Sequence, residues 1–204
     1  MLTKMDNREN VFEIYNKISG WFAENRYPGL MEKAYLDELL SFLNDSSVIL
    51  DLGCGTGKPM MDYLTNQGLY VIGVDASSEM LALAKRNFPF EEFVLADMRK
   101  LALNKRFDAI VAWHSFFHLP TADQPAMFEI FKNHLNPDGI LLFTSGVEYG
   151  ESWGMSGGEN LFHASLSTEM YRQLLEKHDF KVIKHVVDDP DCGHATVWMA
   201  QYVK

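Results

Sequence analysis

Five apolar runs, separated by helix-like or polar segments, dominate the chain after residue 47. They read VILDL, YVIGVD, EEFVLAD, FDAIVAW and GILLFTS. The spacing of apolar residues predicts helices near Lys58 to Gln67, from Ser77 to Asn87, from Asp123 to His134 and, after a long loop, from Ser167 to His178. Strands that are apolar along their whole length and alternate with helices are typical of a parallel sheet covered on both faces. The pattern therefore predicts an α/β, doubly wound fold.

The last two apolar runs, FKVIKHVV and ATVWMAQYV, depart from this alternation. Only DDPDCGH joins them, which is too short for a crossover helix, so we expect them to pair antiparallel. The predicted sheet is thus mostly parallel, with a reversed final strand.

Two helices are predicted before the first strand. Apolar residues recur at helical spacing over residues 11–22 and again over residues 36–43, with a break at Tyr27-Pro28-Gly29. No internal repeat, low-complexity tract or long linker divides the sequence, so one domain over residues 1–204 is predicted.

Composition and charge narrow the class of partner. Eighteen Lys and Arg residues against 28 Asp and Glu residues give a formal net charge of −10, and no basic block occurs, which argues against nucleic acid. The polar start, MLTKMDNREN, and the shortness of every apolar run predict a cytoplasmic protein without membrane contact. Cys54 and Cys192 show no metal-ligand spacing and fit a reducing compartment.

The first strand runs into DLGCGTG, which places three glycines within a short turn before a helix. Such a turn lets a ligand approach the backbone and points helix N–H groups at it. Asp75 ends the next strand about twenty residues later, where an acid can bind both hydroxyls of a ribose. The dinucleotide fingerprint G-x-G-x-x-G requires a third glycine at the position of Lys58. The spacing found here therefore argues against an NAD-type dehydrogenase.

Five segments together resemble the successive motifs of class I S-adenosylmethionine-dependent methyltransferases. They are VILDLGCGTG, VIGVDASSEML, LADM, FDAIVAWHSFFHL and LNPDGILLFTS, and they cover roughly Val48 to Ser145. The resemblance implies an enzyme with S-adenosylmethionine as cofactor. It also implies a Rossmann-like methyltransferase fold, with seven strands of which the last is antiparallel. Residues 1–45 would then form a helical lid, residues 46–145 the cofactor-binding core, and residues 146–204 a substrate loop, a helix and the terminal hairpin.

The resemblance also implies a row of cofactor contacts. The methionine part would lie on the first loop, the ribose on Asp75, and the adenine between apolar side chains, with its amino group on Asp97. The residues assigned to the cofactor are Asp51, Gly53, Cys54, Gly55, Gly57, Asp75, Ala76, Met80, Asp97, Met98 and Trp113. A capping role for Asp51 and core packing for Met80 are equally open. Tyr15 and Trp21 of the lid are further cofactor candidates, with core packing as the alternative.

Histidines supply the candidate catalytic groups. Methyl transfer to a hydroxyl or a protonated amine requires removal of a proton, which a histidine can accept near neutral pH. His114, which directly follows Trp113, is the first candidate, and His163, in the aromatic loop after the fifth strand, is the second. His118 lies in the run FFHLP, which is typical of a packed turn.

The sequence favours a small-molecule acceptor methylated on oxygen or nitrogen. WHSF stands after the fourth strand, where many amide and adenine N-methyltransferases carry an Asn/Asp-Pro-Pro-aromatic signature. The alternatives are a non-catalytic S-adenosylmethionine sensor and a dehydrogenase. A metal site could be assembled from His163, Asp189, Asp191 and His194, but their spacing is no recognised ligand pattern, so none is predicted. No oligomeric state is predicted.

Overall fold

The computed structural model describes residues 7–26 and 29–204, so Tyr27 and Pro28 of the predicted break lie outside the described residues. The strands are β1 (Val48–Leu52), β2 (Tyr70–Asp75), β3 (Glu92–Leu95), β4 (Phe107–Ala112), β5 (Leu135–Ser145), β6 (Gly150–Ser156), β7 (Glu159–Ser165), β8 (Phe180–Asp189) and β9 (Ala195–Tyr202). The α-helices are α1 (Phe12–Asn25), α2 (Lys33–Leu40), α3 (Met60–Asn66), α4 (Ser78–Asn87), α5 (Gln124–His134) and α6 (Thr168–Lys177).

Seven strands form one sheet in the order β3-β2-β1-β4-β5-β9-β8. β1 to β5 run parallel to one another, and β9 pairs antiparallel with both β5 and β8. The predicted mostly parallel sheet with a reversed last strand is thereby confirmed. Because parallel strands end at the same edge of a sheet, the residues that follow β1, β2 and β4 meet there.

Helices cover both faces of this sheet. α5 and α6 bury an aromatic cluster around Phe128 and Tyr171 on one face, and α2 and α3 bury Leu36 and Met61 on the other. Each side chain of this kind contributes about 1.5–3 kcal/mol by leaving water. α4 begins where predicted because the Ser77 hydroxyl accepts a hydrogen bond from the backbone N–H of Met80, at 3.1 Å.

The segment predicted as a long loop after β5 contains a β-hairpin instead. β6 and β7 pair antiparallel from Gly150↔Ser165 to Ser156↔Glu159. Gly157 and Gly158 form the turn with φ values of +57° and +82°, the left-handed conformation that two-residue hairpin turns require. The dipeptide Gly-Gly was the sequence signal for this hairpin.

α1 and the hairpin pack together above the carboxyl edge of the sheet. Val11, which precedes α1, and Ile14 and Ile18 of α1 form a separate buried cluster with Leu161 and Phe162 of β7. We call α1 and the β6–β7 hairpin the roof. Within the described ranges, no helix combines the length and the apolar character that crossing a membrane requires.

Candidate active site

A cavity of about 300 Å³ lies between the carboxyl ends of the central strands and α1, together with the residues just before α2. The predicted site residues that line it are Tyr15, Gly53, Cys54, Gly55, Asp75, Ala76, Met80, Asp97, Met98, Trp113 and His114. Residues that the sequence reasoning did not assign to a site line it as well, including Arg26, Glu32, Arg99, Ser115 and His118.

The three glycines of the first loop have different surroundings. A Cβ added at Gly53, whose φ is +83°, would lie 2.2 Å from the Cβ of Ser115. A Cβ at Gly57 would lie 2.7 Å from the ring of Phe88, and Gly57 does not line the cavity. A Cβ at Gly55, whose φ is +54°, would meet no atom within 4 Å. Gly55 is therefore the glycine whose missing side chain leaves room in the cavity.

Asp75 connects this loop to the end of β2. One carboxylate oxygen accepts a hydrogen bond from the Gly55 N–H and the other from the Ser77 N–H, each at 2.8 Å. Burial raises the pKa of Asp75, and the two backbone N–H groups oppose that shift. Asp75 lines the cavity, and each of its carboxylate oxygens can accept a further hydrogen bond from a ligand that enters there.

Asp51, the second-last residue of β1, is buried and is not part of the cavity lining. Burial raises its pKa to about 7, while Arg26 lowers it and Asp75 raises it further. Asp51 therefore exchanges its proton near neutral pH. A contact between its side chain and the cofactor stays a prediction.

Asp97 is held by Arg99, a residue that the sequence reasoning did not single out. The guanidinium donates to both Asp97 oxygens at 2.7–3.0 Å, and also to Asp123 at 3.0 Å and to the Glu9 carbonyl at 2.8 Å. Burial alone would raise the pKa of Asp97, but the bonds from Arg99 outweigh it and the pKa is lowered. Arg99 thus connects the end of β3 to the segment that precedes α1.

His114 faces the cavity from a strained backbone position. Its φ is +48°, uncommon for a residue with a side chain, and its N–H donates to the Thr144 hydroxyl at 2.9 Å. The ring is exposed within the cavity, yet the surrounding protein withdraws enough water to lower its pKa to about 4, with further lowering by Arg26 and His163. His114 is therefore neutral at physiological pH.

Tyr15 and His118 form a hydrogen-bonded pair that faces the same cavity. His118 Nδ1 lies 2.8 Å from the Phe162 carbonyl, which can only accept, so Nδ1 carries the proton. Nε2 is then the acceptor for the Tyr15 hydroxyl at 2.9 Å. Burial lowers the pKa of His118 to about 3, which keeps the ring neutral. The Tyr15 proton is thus committed to His118, and the oxygen is left as an acceptor.

Two predicted site residues lie outside this cavity. His163 lines a second cavity of about 360 Å³ beneath the hairpin, and its ring lies 5.4 Å from Phe117 and 4.9 Å from His118. Trp21 is 45% exposed and lies beside Gly157 at the hairpin turn. Their roles in catalysis and cofactor binding stay predictions.

Two buried polar atoms in the cavity wall have no hydrogen-bond partner among the described residues. One is Oε1 of Glu32, which lies 3.5 Å from Nη2 of Arg26 without the geometry of a hydrogen bond, and the other is Nε1 of Trp113. Both side chains are nearly inaccessible, at 2% for Glu32 and 4% for Trp113. Burial raises the pKa of Glu32. A buried polar atom without a hydrogen bond lowers the stability of the protein unless a ligand supplies that bond.

The four residues considered as a metal site do not form a set of ligands. Asp189 accepts a short hydrogen bond from Tyr35, and His194 pairs with Asp188 at 3.2 Å. Over residues 7–26 and 29–204, no group of three or more His, Cys, Asp or Glu side chains is arranged to hold a metal ion.

The lining residues fit S-adenosylmethionine. The described lining carries four carboxylates, from Glu9, Glu32, Asp75 and Asp97, against two guanidinium groups, so it favours a ligand with positive charge such as a sulfonium. The open space over Gly55 admits a ligand close to the backbone, and Asp75 can accept from a ribose.

Comparison with known proteins agrees with this geometry. Residues 22–185 match a family described as Methyltransferase domain. The chain is 35% identical over 96 residues, 46% of its length, to a dTDP-3-amino-3,6-dideoxy-alpha-D-glucopyranose N,N-dimethyltransferase from Streptomyces fradiae, of which the match covers 37%. The chain spans about half the length of the curated relatives it matches.

Two solved structures share the fold. SAM-bound CalS10, an amino pentose methyltransferase from Micromonospora echinaspora, superposes with a TM-score of 0.71 at 17% identity, covering 92% of this chain and 96% of that one. The 1,6-didemethyltoxoflavin-N1-methyltransferase of Burkholderia thailandensis gives a TM-score of 0.73 at 19% identity, covering 95% and 88%.

Proposed function

The chain belongs to the S-adenosylmethionine-dependent methyltransferases, and from that premise we propose that it methylates a small-molecule acceptor on nitrogen or oxygen. The observation that carries the proposal is the roofed cavity. α1 and the residues just before α2 cover about 300 Å³ above the strand ends, which suits a small acceptor better than a macromolecule. Relatives named as methyltransferases of an amino sugar, an amino pentose and a toxoflavin precursor support the same class.

The residues of the cavity would hold the cofactor along the strand ends. Asp75 would accept from the ribose, Ala76 and Met80 would flank the adenine, and the Gly55 backbone would lie against the methionine part. When bound, S-adenosylmethionine would supply a reactive methyl group on a positively charged sulfur for the lone pair of the acceptor.

The protein then has to orient the acceptor and exclude water. His114 is neutral and accessible in the cavity, so its imidazole can accept a hydrogen bond from an N–H or O–H group. A pKa of about 4 makes the ring a weak base, so orientation of the acceptor is its main role. The Tyr15 oxygen offers a second acceptor on the wall.

The proposal also locates the enzyme in the cytoplasm, without nucleic acid or membrane as partner. Both cysteines are free and buried, which suits a reducing compartment, and the acidic composition does not suit a phosphate backbone.

Isothermal titration with S-adenosylhomocysteine and with NADH tests the cofactor. Binding of the first and not of the second is expected. Transfer of labelled methyl groups is then measured with amino sugar nucleotides, free amines, phenols and carboxylic acids. A protein that binds S-adenosylhomocysteine but methylates only tRNA, or nothing in a broad panel of small molecules, contradicts the proposal and favours a tRNA enzyme or a non-catalytic sensor.

A further inference from the structure

We infer that the acceptor is an amine and that Glu32 is the residue that selects it. The inference rests on the proposed function and narrows it from nitrogen or oxygen to nitrogen. Its basis is the carboxylate oxygen of Glu32 in the cavity wall that accepts no hydrogen bond, together with the direction of the hydrogen bonds around Tyr15.

Glu32 carries a carboxylate oxygen that the fold leaves without a hydrogen bond. Glu32 is the N-cap residue of α2, but its side chain is nearly inaccessible to solvent and forms no capping hydrogen bond. Arg26, at 3.5 Å, offsets part of the charge but supplies no hydrogen bond to that atom. A buried carboxylate in this condition destabilises the free protein, and a ligand N–H group would complete its bonding.

The other polar groups on this part of the wall also require a ligand that donates hydrogen bonds. Tyr15 commits its proton to His118, so its oxygen can only accept from a ligand. The neutral imidazole of His114 can likewise offer an acceptor nitrogen. A primary amine has two N–H bonds to give to such a wall and keeps its lone pair for the methyl group, whereas a hydroxyl has one O–H bond.

Glu32 also lies toward the ends of β1 and β4, close enough to Asp51 in β1 to raise the pKa of that carboxyl. β4 pairs with β1 on the side opposite to β2, so a ribose on Asp75 leaves the end of β4 for the reacting groups. Trp113 follows β4, and its ring lies 5.8 Å from that of Tyr35, one turn after Glu32 in the sequence. The unpaired indole N–H of Trp113 adds a donor for an oxygen of the same ligand.

The test uses Glu32→Gln, which keeps the shape of the side chain and removes its charge. Glu24→Gln, on the exposed surface of α1, is the matched control. Protein saturated with S-adenosylhomocysteine is titrated with ethylamine, isopropylamine and cyclohexylamine, and with the corresponding alcohols, by ligand-observed NMR. We expect wild type and the control to bind amines about ten-fold more tightly than alcohols, and Glu32→Gln to lose that preference.

Titration of each variant with S-adenosylhomocysteine alone separates the possible failures. Equal affinity in wild type and Glu32→Gln is expected. A loss in Glu32→Gln would show that Glu32 holds the cofactor's own ammonium group and would overturn the inference. Equal binding of amines and alcohols to wild type would overturn it as well, while leaving the proposed function intact. Absence of S-adenosylhomocysteine binding in wild type would defeat both. Should Glu32→Gln not fold, Glu32→Asp, which retracts the charge, is expected to weaken amine binding alone.

Discussion

Replacing Gly55 with alanine separates two reasons for a glycine in the loop after β1, backbone conformation and space for a ligand. Gly55 and Gly158 both have positive φ, +54° and +82°, and an added Cβ would meet no atom within 4 Å at either position. Gly55 lines the cavity, whereas Gly158 lies at the hairpin turn outside it. Gly158→Ala is therefore the control that carries the backbone cost alone.

The expected loss of stability follows from the conformation. An alanine held in the left-handed region costs about 1–2 kcal/mol, so each of these two variants should lose that amount of unfolding free energy. Gly53→Ala also forces a Cβ to within 2.2 Å of the Ser115 Cβ. Overpacking of this kind adds about 1–3 kcal/mol, so Gly53→Ala should be the least stable of the three.

Binding distinguishes Gly55 from the control. The new methyl group would occupy space that the cavity keeps open beside the backbone, so Gly55→Ala should lose about ten-fold or more in affinity for S-adenosylhomocysteine, or about 1.4 kcal/mol. Gly158→Ala should bind as wild type does. Urea melts give the stabilities and isothermal titration the affinities. If Gly55→Ala binds as tightly as Gly158→Ala, the cofactor does not lie against this loop and the site has been misplaced.

Three further outcomes are expected. Because burial raises the pKa of Asp51 to about 7, the stability linked to its protonation is present below pH 4 and is lost as the pH rises through 7. Asp51→Asn should therefore gain on the order of 2 kcal/mol over wild type between pH 5 and pH 8 in urea melts, and a constant difference would contradict the pKa. His114→Ala should lower turnover about ten- to hundredfold and leave the affinity for S-adenosylhomocysteine unchanged. In wild type, His114 should show no titration near pH 6.5. Unchanged turnover in the variant would remove His114 from the site. Arg99→Ala removes the bonds to Glu9 and should speed hydrogen exchange over residues 7–25, whereas unaltered exchange would show that the roof is held by packing alone.

Most of the sheet could be predicted because each of its strands is marked by an apolar run in its own sequence. Runs such as VILDL and FDAIVAW are apolar over their full length, and serine caps such as Ser77 mark where helices begin. The hairpin after β5 was missed because its strands mix exposed and buried positions. Trp153 and Met155 of β6 are exposed, so the segment lacked the apolar run that marked the other strands.

The cavity was only partly predictable for a different reason. Its floor comes from the ends of adjacent strands, where motif order places Gly55, Asp75 and Trp113 close together. The rest of its wall comes from tertiary packing that brings α1, Glu32 and His118 together, and the local sequence around these residues carries no signal for it. The run around His118 is typical of a packed turn, and the residue is indeed partly buried, but it also lines the cavity and is hydrogen-bonded to Tyr15.

Ligand binding explains why the fold keeps buried acids around the cavity that lower the stability of the free protein. Asp51, Asp75 and Glu32 all have pKa values raised by burial, so each loses stability when it ionises in the free protein. Arg26 approaches Glu32 but forms no hydrogen bond to its free oxygen, so the compensation is incomplete. A positively charged ligand that binds beside these carboxylates restores the unfolding free energy that their ionisation removes. The same electrostatics favour a sulfonium cofactor over its uncharged thioether product, so the charge that binds the cofactor also weakens the hold on what is left after transfer.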